Sequence, residues 1–186
     1  TVASGIVRTG DDVMALPSGK KSRVKTITTH DGELTEAFPP MSVVLSLEDE
    51  IDVSRGDMLV HPNNAPRIDN AFDAMLVWMS DSPMRQGQRY LLKHCASTIP
   101  CEIEVCHYRT DVNTLRKQKT DTLNLNEIGR VDIICPKPLI HDPYSRNRDT
   151  GSFVVIDFLS NETVAAGMIL DRKSSSKWAR EKHDET

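Results

Sequence analysis

The chain has 186 residues, a formal net charge of −4, and 38% apolar and 5% aromatic residues. That length suits one large or two small domains, each able to bury its own core, and the mild acidity gives no general pull toward nucleic acid or anionic lipid. No apolar run approaches the ~20 residues of a membrane-spanning helix, and Thr1-Val2-Ala3 lacks the parts of a secretory signal. No membrane is therefore expected, and the expected location is the cytoplasm.

From Thr1 to Pro66, short apolar runs alternate with turn residues about every ten positions. Gly5 and Gly10 flank Ile6-Val7-Arg8, and Pro17-Ser18-Gly19 follows Val13 to Leu16. Asp31-Gly32 follows Val24 to Thr28, and Ser54-Arg55-Gly56-Asp57 precedes Met58-Leu59-Val60. Asp-Gly suits a type I′ hairpin, while Pro-Ser-Gly suits a turn with positive φ at its end. The stretch His61 to Asn70, with two Pro and three Asn, reads as a loop or linker. The strand-like start without an initiator Met predicts a chain that begins inside a longer protein.

A second β region runs from Ala71 to about Leu170. Strands are expected over Phe72–Met79, Tyr90–His94, Ile99–Tyr108, Ile128–Ile134, Gly151–Leu159 and Thr163–Leu170. Arg109 to Thr122, with Arg116, Lys117 and Lys119, reads as an exposed excursion, and Pro136, Pro138 and Pro143 mark the loop after Ile134. No stretch keeps a helical apolar period for more than about two turns. The fold class is all-β, in two modules: residues 1–66, a linker at 67–70, and residues 71–170. Asp171 to Thr186 is almost wholly polar and reads as a flexible tail or linker.

Candidate chemistry is sparse. Gly19-Lys20-Lys21-Ser22 falls short of a phosphate-binding loop, because Met14 stands where its first Gly is required and the Lys-Ser order is displaced. Cys95, Cys101, Cys106 and Cys135 lack zinc-knuckle spacing, and period two along Cys101–Cys106 would send those thiols to opposite faces. Reduced, buried thiols are expected instead. The acidic run Glu48-Asp49-Glu50 reads as a solvated loop. Arg55-Gly56-Asp57 reads as a turn in which Asp57 bonds nearby amides. His61, His94, His107 and His141 are paired with no nucleophile in sequence, and a nucleophile elbow is absent. Catalytic, cofactor-binding and metal residues are therefore expected to be none. Arg146, Arg148 and Asp149 surround the Asn147 turn, where they either contact a partner or solvate the loop.

The run Leu123-Asn124-Leu125-Asn126-Glu127-Ile128-Gly129-Arg130-Val131, then Asp142-Pro143-Tyr144-Ser145-Arg146-Asn147-Arg148-Asp149-Thr150-Gly151-Ser152-Phe153 and onward to Ile169, resembles the last barrel of elongation factor Tu-like GTPases. Gly5 to Asp11, Leu16 to Gly19 and Ser22 to Lys25 resemble the middle barrel. Leu47 to Asp57, Tyr90 to His94 and Asp111 to Leu115 are similar to the large, GTPase subunit of bacterial sulfate adenylyltransferase.

The resemblance implies two consecutive small β-barrels, the first lacking a strand that would precede Thr1. It implies a part of an enzyme that makes adenylyl sulfate and pyrophosphate from ATP and sulfate. GTP and Mg would be handled by an N-terminal domain absent from these residues, so this stretch alone is expected to be inactive. Implied partners are the small catalytic subunit, the GTPase domain in cis and, in some members, a C-terminal adenylyl sulfate kinase domain. The candidate docking residues are Tyr144, Arg146, Arg148 and Arg116. The rival family is the barrel pair of a translation factor, which would bind tRNA or a ribosomal partner. That reading needs clustered Lys and Arg on one face, and the chain offers only the Arg116–Lys119 group. A freestanding ligand-binding barrel would need a cavity with converging polar groups, and ranks last.

Overall fold

The computed structural model describes residues 1–111 and 114–171. The expected tail, residues 171–186, lies outside the described residues apart from Asp171. The chain divides into two units, Thr1–Arg67 and Ile68–Thr186.

The first unit is built from seven short strands: β1 (Val7–Arg8), β2 (Asp12–Leu16), β3 (Lys21–Thr29), β4 (Gly32–Leu34), β5 (Glu36–Ala37), β6 (Val44–Leu47) and β7 (Met58–Val60). The sheet order is β4-β3-β2-β7, with β6 also on β3, and β1 and β5 form a separate ribbon. Strand β3 serves three neighbours because a register shift between Val24 and Thr26 bends it. Because that shift resets the alternation, Val24 and Ile27, three residues apart, are both buried with Val13 and Ala37 in a small core.

Turn chemistry was legible in this half, with one displacement. Gly19 has φ +73 and its amide bonds Ala15 O at 2.7 Å, as a Pro-Ser-Gly turn requires. At the β3–β4 hairpin, however, Thr29 pairs with Gly32, so the two loop residues are His30 and Asp31. Positive φ falls on Gly32 at +124° and on neither His30 nor Asp31, so the two loop residues do not form the type I′ turn expected of Asp31-Gly32.

A single turn device recurs three times. In Arg8–Asp11, Ser54–Asp57 and Asn124–Glu127 the third residue has positive φ (Gly10 +90°, Gly56 +101°, Asn126 +64°). In each, the fourth residue's carboxylate accepts the first residue's amide, at 2.7, 2.9 and 2.8 Å. The φ requirement explains Gly or Asn at the third place. The amide bond explains Asp or Glu at the fourth.

The second unit comprises β8 (Arg67–Trp78), β9 (Arg89–His94), β10 (Ser97–Thr110), β11 (Lys117–Gln118), β12 (Ile128–His141), a single helical turn α1 (Arg148–Gly151), β13 (Ser152–Asp157) and β14 (Thr163–Ile169). The sheet order β10-β12-β8-β14-β13-β9 closes on itself through β9–β10, leaving β11 attached outside. This is a six-stranded barrel, which leaves no open edge in its wall.

Inward residues alternate along each strand: Phe72, Ala74, Leu76 and Trp78 of β8 all lie in the core. Trp78 and Tyr90 meet edge to face at 5.9 Å, and Trp78 Nε1 donates to Ser82 O at 2.7 Å. The largest core side chain thereby satisfies its only donor.

Two segments depart from the sequence reading. Residues 67–70, expected as a linker, open β8, and Pro136 and Pro138, expected in a loop, lie within β12. These departures are linked. Prolines donate no amide, and Asn70 Nδ2 instead donates to Cys135 O at 3.0 Å and Pro136 O at 3.3 Å, joining the neighbouring strands. Polar composition at 67–70 therefore signalled a side-chain strap rather than a loop.

A further departure concerns the thiols. Glu104 is an extra residue in β10, since Ile103 pairs with Ile133 and Val105 with Asp132. That bulge resets the alternation, so Cys101, Ile103 and Cys106 all face the core, contrary to the opposite faces expected from period two. Burial raises the Cys106 thiol to about 11 and the Cys135 thiol to about 12, and pushes Cys101 higher still. Cys95 is exposed. In native protein a thiol reagent at pH 8 is expected to titrate Cys95 alone, with the three buried thiols reacting only on unfolding. Rapid modification of more than one thiol would contradict the bulge.

Candidate docking site

The segment between β12 and β13 is short, polar and tightly anchored. Tyr144 N donates to Ile169 O at 2.9 Å, and Asp142 N donates to Thr150 O at 3.3 Å. Thr150 Oγ1 returns a bond to Asp142 Oδ2 at 3.0 Å. Within the loop, Arg146 N and Asn147 N both reach Pro143 O, at 2.9 and 3.1 Å. Asn147 then caps α1, its Oδ1 accepting from Asp149 N at 3.1 Å.

Gly151 closes this arrangement by size. A Cβ there would stand 2.4 Å from Tyr144 Cα and 2.5 Å from Tyr144 N. Only a glycine lets the two limbs of the loop lie so close. The loop thus holds Tyr144 half-buried and Arg146 and Arg148 exposed on one turn. Arg146 Nη1 is 3.9 Å from Asp142 Oδ1, a long pair between an exposed guanidinium and a largely buried carboxylate.

His94 supports the loop from β9. It is 2% exposed, and its Nε2 lies 2.8 Å from Thr150 O. A carbonyl only accepts, so Nε2 carries the proton. Cys95, next along the chain at φ +49, donates its thiol to Asp149 O at 3.6 Å. Sequence placed His94 at a strand end but gave no sign of this contact, because Thr150 is 56 residues away.

Burial lowers the His94 pKa from 6.5, partly offset by the Thr150 bond. Its linkage sign follows: the unfolded chain takes up this proton near pH 6.5 and the folded chain only at lower pH. The stability His94 confers is full above 6.5 and is lost as pH falls through the folded value. Thermal melts of the wild type from about pH 7.5 to 5.5 should show this decline, and His94→Asn should flatten it. Equal slopes would remove His94 from the loop's support.

Arg116 does not join this group. It follows β10, whose end pairs with the start of β12 (Thr110 with Ile128), whereas the 142–151 loop leaves the other end of β12. The two lie at opposite ends of β12. Arg116 belongs instead beside Lys117, whose Nζ stands 4.7 Å from the Tyr108 ring centroid.

Among the described residues no group of three or more His, Cys, Asp or Glu is placed to hold a metal ion. Gly19-Lys20-Lys21-Ser22 forms the β2–β3 turn and enters a strand, whereas a phosphate-binding loop must enter a helix, so it does not fit GTP and Mg. Arginines on an immobilised turn suit recognition of a carboxylate-bearing surface.

Comparison with known proteins agrees with the barrel architecture. Residues 71–170 match the family described as GTP-eEF1A C-terminal domain-like. A Bacteroides fragilis protein named sulfate adenylyltransferase subunit 1 is 54% identical over 171 residues, covering 92% of this chain and 36% of that protein. A Rhodopirellula baltica protein named bifunctional enzyme CysN/CysC is 52% identical over 172 residues, covering 92% of this chain and 27% of its own length. The chain therefore spans about a third of these relatives. A solved structure of Sup35 complexed with GDP superposes with TM-score 0.82 at 16% identity, over 92% of this chain and 43% of that one. By this match over more than half its length, the chain belongs to the GTP-eEF1A C-terminal domain-like family.

Proposed function

We propose that these two barrels are the coupling part of a GTP-dependent sulfate adenylyltransferase, joining a GTPase domain on the same chain to a separate catalytic subunit. The observation that carries this is identity above 50% over 92% of the chain to proteins named for sulfate adenylyltransferase subunit 1 and CysN/CysC.

Formation of adenylyl sulfate from ATP and sulfate is uphill, so it must be driven. In this proposal GTP and Mg bind in the GTPase domain, and segments ordered by the γ-phosphate bias how the barrels dock on the catalytic subunit. The barrels transmit that bias because each is rigid. Tyr144, Arg146 and Arg148 form one contact surface, and Arg116 a separate one. An adenylyl sulfate kinase domain on the same chain belongs to the same proposal, in line with a relative named a bifunctional enzyme.

The test uses the full-length protein and its catalytic subunit. Adenylyl sulfate synthesis should be stimulated by GTP, and the stimulation should vanish when both barrels are deleted from a GTPase domain that still hydrolyses GTP. Undiminished stimulation in that deletion would sink the coupling role. Arg146→Glu with Arg148→Glu should weaken the response to GTP by about tenfold, as loss of two arginine contacts would.

A further inference from the structure

Two of the buried thiols face each other from neighbouring strands. Strands β10 and β12 pair antiparallel, with Ile103 opposite Ile133 and Glu102 opposite Ile134. One residue further along the same register, Cys101 stands opposite Cys135. Both side chains point inward: Cys101 is 2% and Cys135 3% exposed, in the same core as Ile103 and Ile133. After burial, the next cause raising the Cys101 pKa is the Cys135 thiol, which must therefore lie close. Cα atoms opposed in an antiparallel ladder are about 4.5–5.5 Å apart, inside the roughly 4.4–6.8 Å that a disulfide bridges. The other two cysteines have no such partner, since Cys106 is opposite Val131 and Cys95 is exposed.

The pair sits at a seam in the barrel wall. Glu102 ends the ladder between β10 and β12, and from there back to Ser97 strand β10 runs beside β9. Strand β12 meanwhile continues into Pro136 and Pro138, which donate no amide. Ladder bonds between the two strands stop where the thiols begin, so a slight parting of the strands there breaks none of them. Such a seam admits a solute near the size of water, and excludes a conventional thiol reagent. Burial keeps both thiols protonated at neutral pH, so their oxidation is slow.

We propose that Cys101 and Cys135 form a redox-sensitive dithiol, which hydrogen peroxide converts into a cross-strand disulfide that locks β10 to β12. One thiolate attacks the O–O bond and becomes a sulfenic acid, releasing hydroxide. The second thiolate then attacks the sulfenic sulfur, forming the S–S bond and releasing the other hydroxide. The two protons lost by the thiols convert both hydroxides to water. Two electrons thus pass from the sulfurs to one peroxide, which leaves as two waters. The opposed thiol is already in place, so it outruns a second peroxide that would carry the sulfenic acid further. This inference does not depend on the coupling role.

The test treats native full-length protein with hydrogen peroxide, then alkylates free thiols and maps the peptides. Cys101 should be found joined to Cys135, lighter by two hydrogens than the two thiols and separated again by dithiothreitol. The melting temperature of the second barrel should rise by about 5–10 °C and return on reduction. Cys101→Ala and Cys135→Ala should each abolish the link and the rise. Because either substitution also opens a small cavity, the wild-type map decides. The proposal is overturned if exhaustive oxidation leaves both as thiols, takes them to separate sulfinic acids, or links either to Cys95 or Cys106. A link that forms only in denaturant overturns it too, and one that leaves the melting temperature unchanged removes the lock.

Discussion

Gly151→Ala is expected to cost the second barrel about 3 kcal/mol, at the upper end for overpacking, and to lower its melting temperature by more than about 10 °C. The atoms in the way are backbone: Tyr144 Cα at 2.4 Å, Tyr144 N at 2.5 Å and Pro143 C at 2.9 Å. No rotamer change can relieve them. The loop must move, and with it the bonds from Tyr144 N to Ile169 O and from His94 to Thr150 O. Amide exchange should therefore rise first at Tyr144, and the exposed arginines should lose their fixed placement. By contrast, Asn147→Ala, which removes only the cap of a four-residue turn, should cost about 1 kcal/mol. Equal stability of Gly151→Ala and wild type would show that the loop is not held as described.

The sequence made much of this fold legible where local rules decide it. Strand β7 was read at its observed limits, Met58 to Val60, because a glycine turn on one side and a proline loop on the other isolate three apolar residues. The Asp57 turn was readable for the same reason: its donor and acceptor are three residues apart. Where contacts are distant, the reading failed. The strap from Asn70 to β12 crosses 65 residues, so a polar tetrapeptide looked like a linker. The bulge at Glu104 leaves no mark in composition, yet it turns Cys106 from outside to inside. The candidate site divides the same way. Tyr144, Arg146 and Arg148 fall together because they are close in sequence, whereas Arg116 lies at the other end of β12. Their support by His94 is a long-range contact.

The outer face of β8 and β12 carries the second large expectation. Asp73 is 0% exposed, and both of its carboxylate oxygens accept from Arg130, Nε lying 3.0 Å from Oδ1 and 2.9 Å from Oδ2 while Nη2 also reaches Oδ2. The pair raises the Arg130 pKa, first through the hydrogen bond, then against the cost of burial. A carboxylate without water or a cation is the state to avoid, so Arg130→Ala is expected to cost about 3–5 kcal/mol. Asp73→Asn with Arg130→Met removes both charges and should cost far less than the single change, because no ion is then left stranded. The pair would then be a specificity device more than a source of stability. Chemical denaturation of the three proteins at pH 7 checks this. A double variant as unstable as Arg130→Ala would show that the pair's packing, not its charge balance, is what the barrel wall requires.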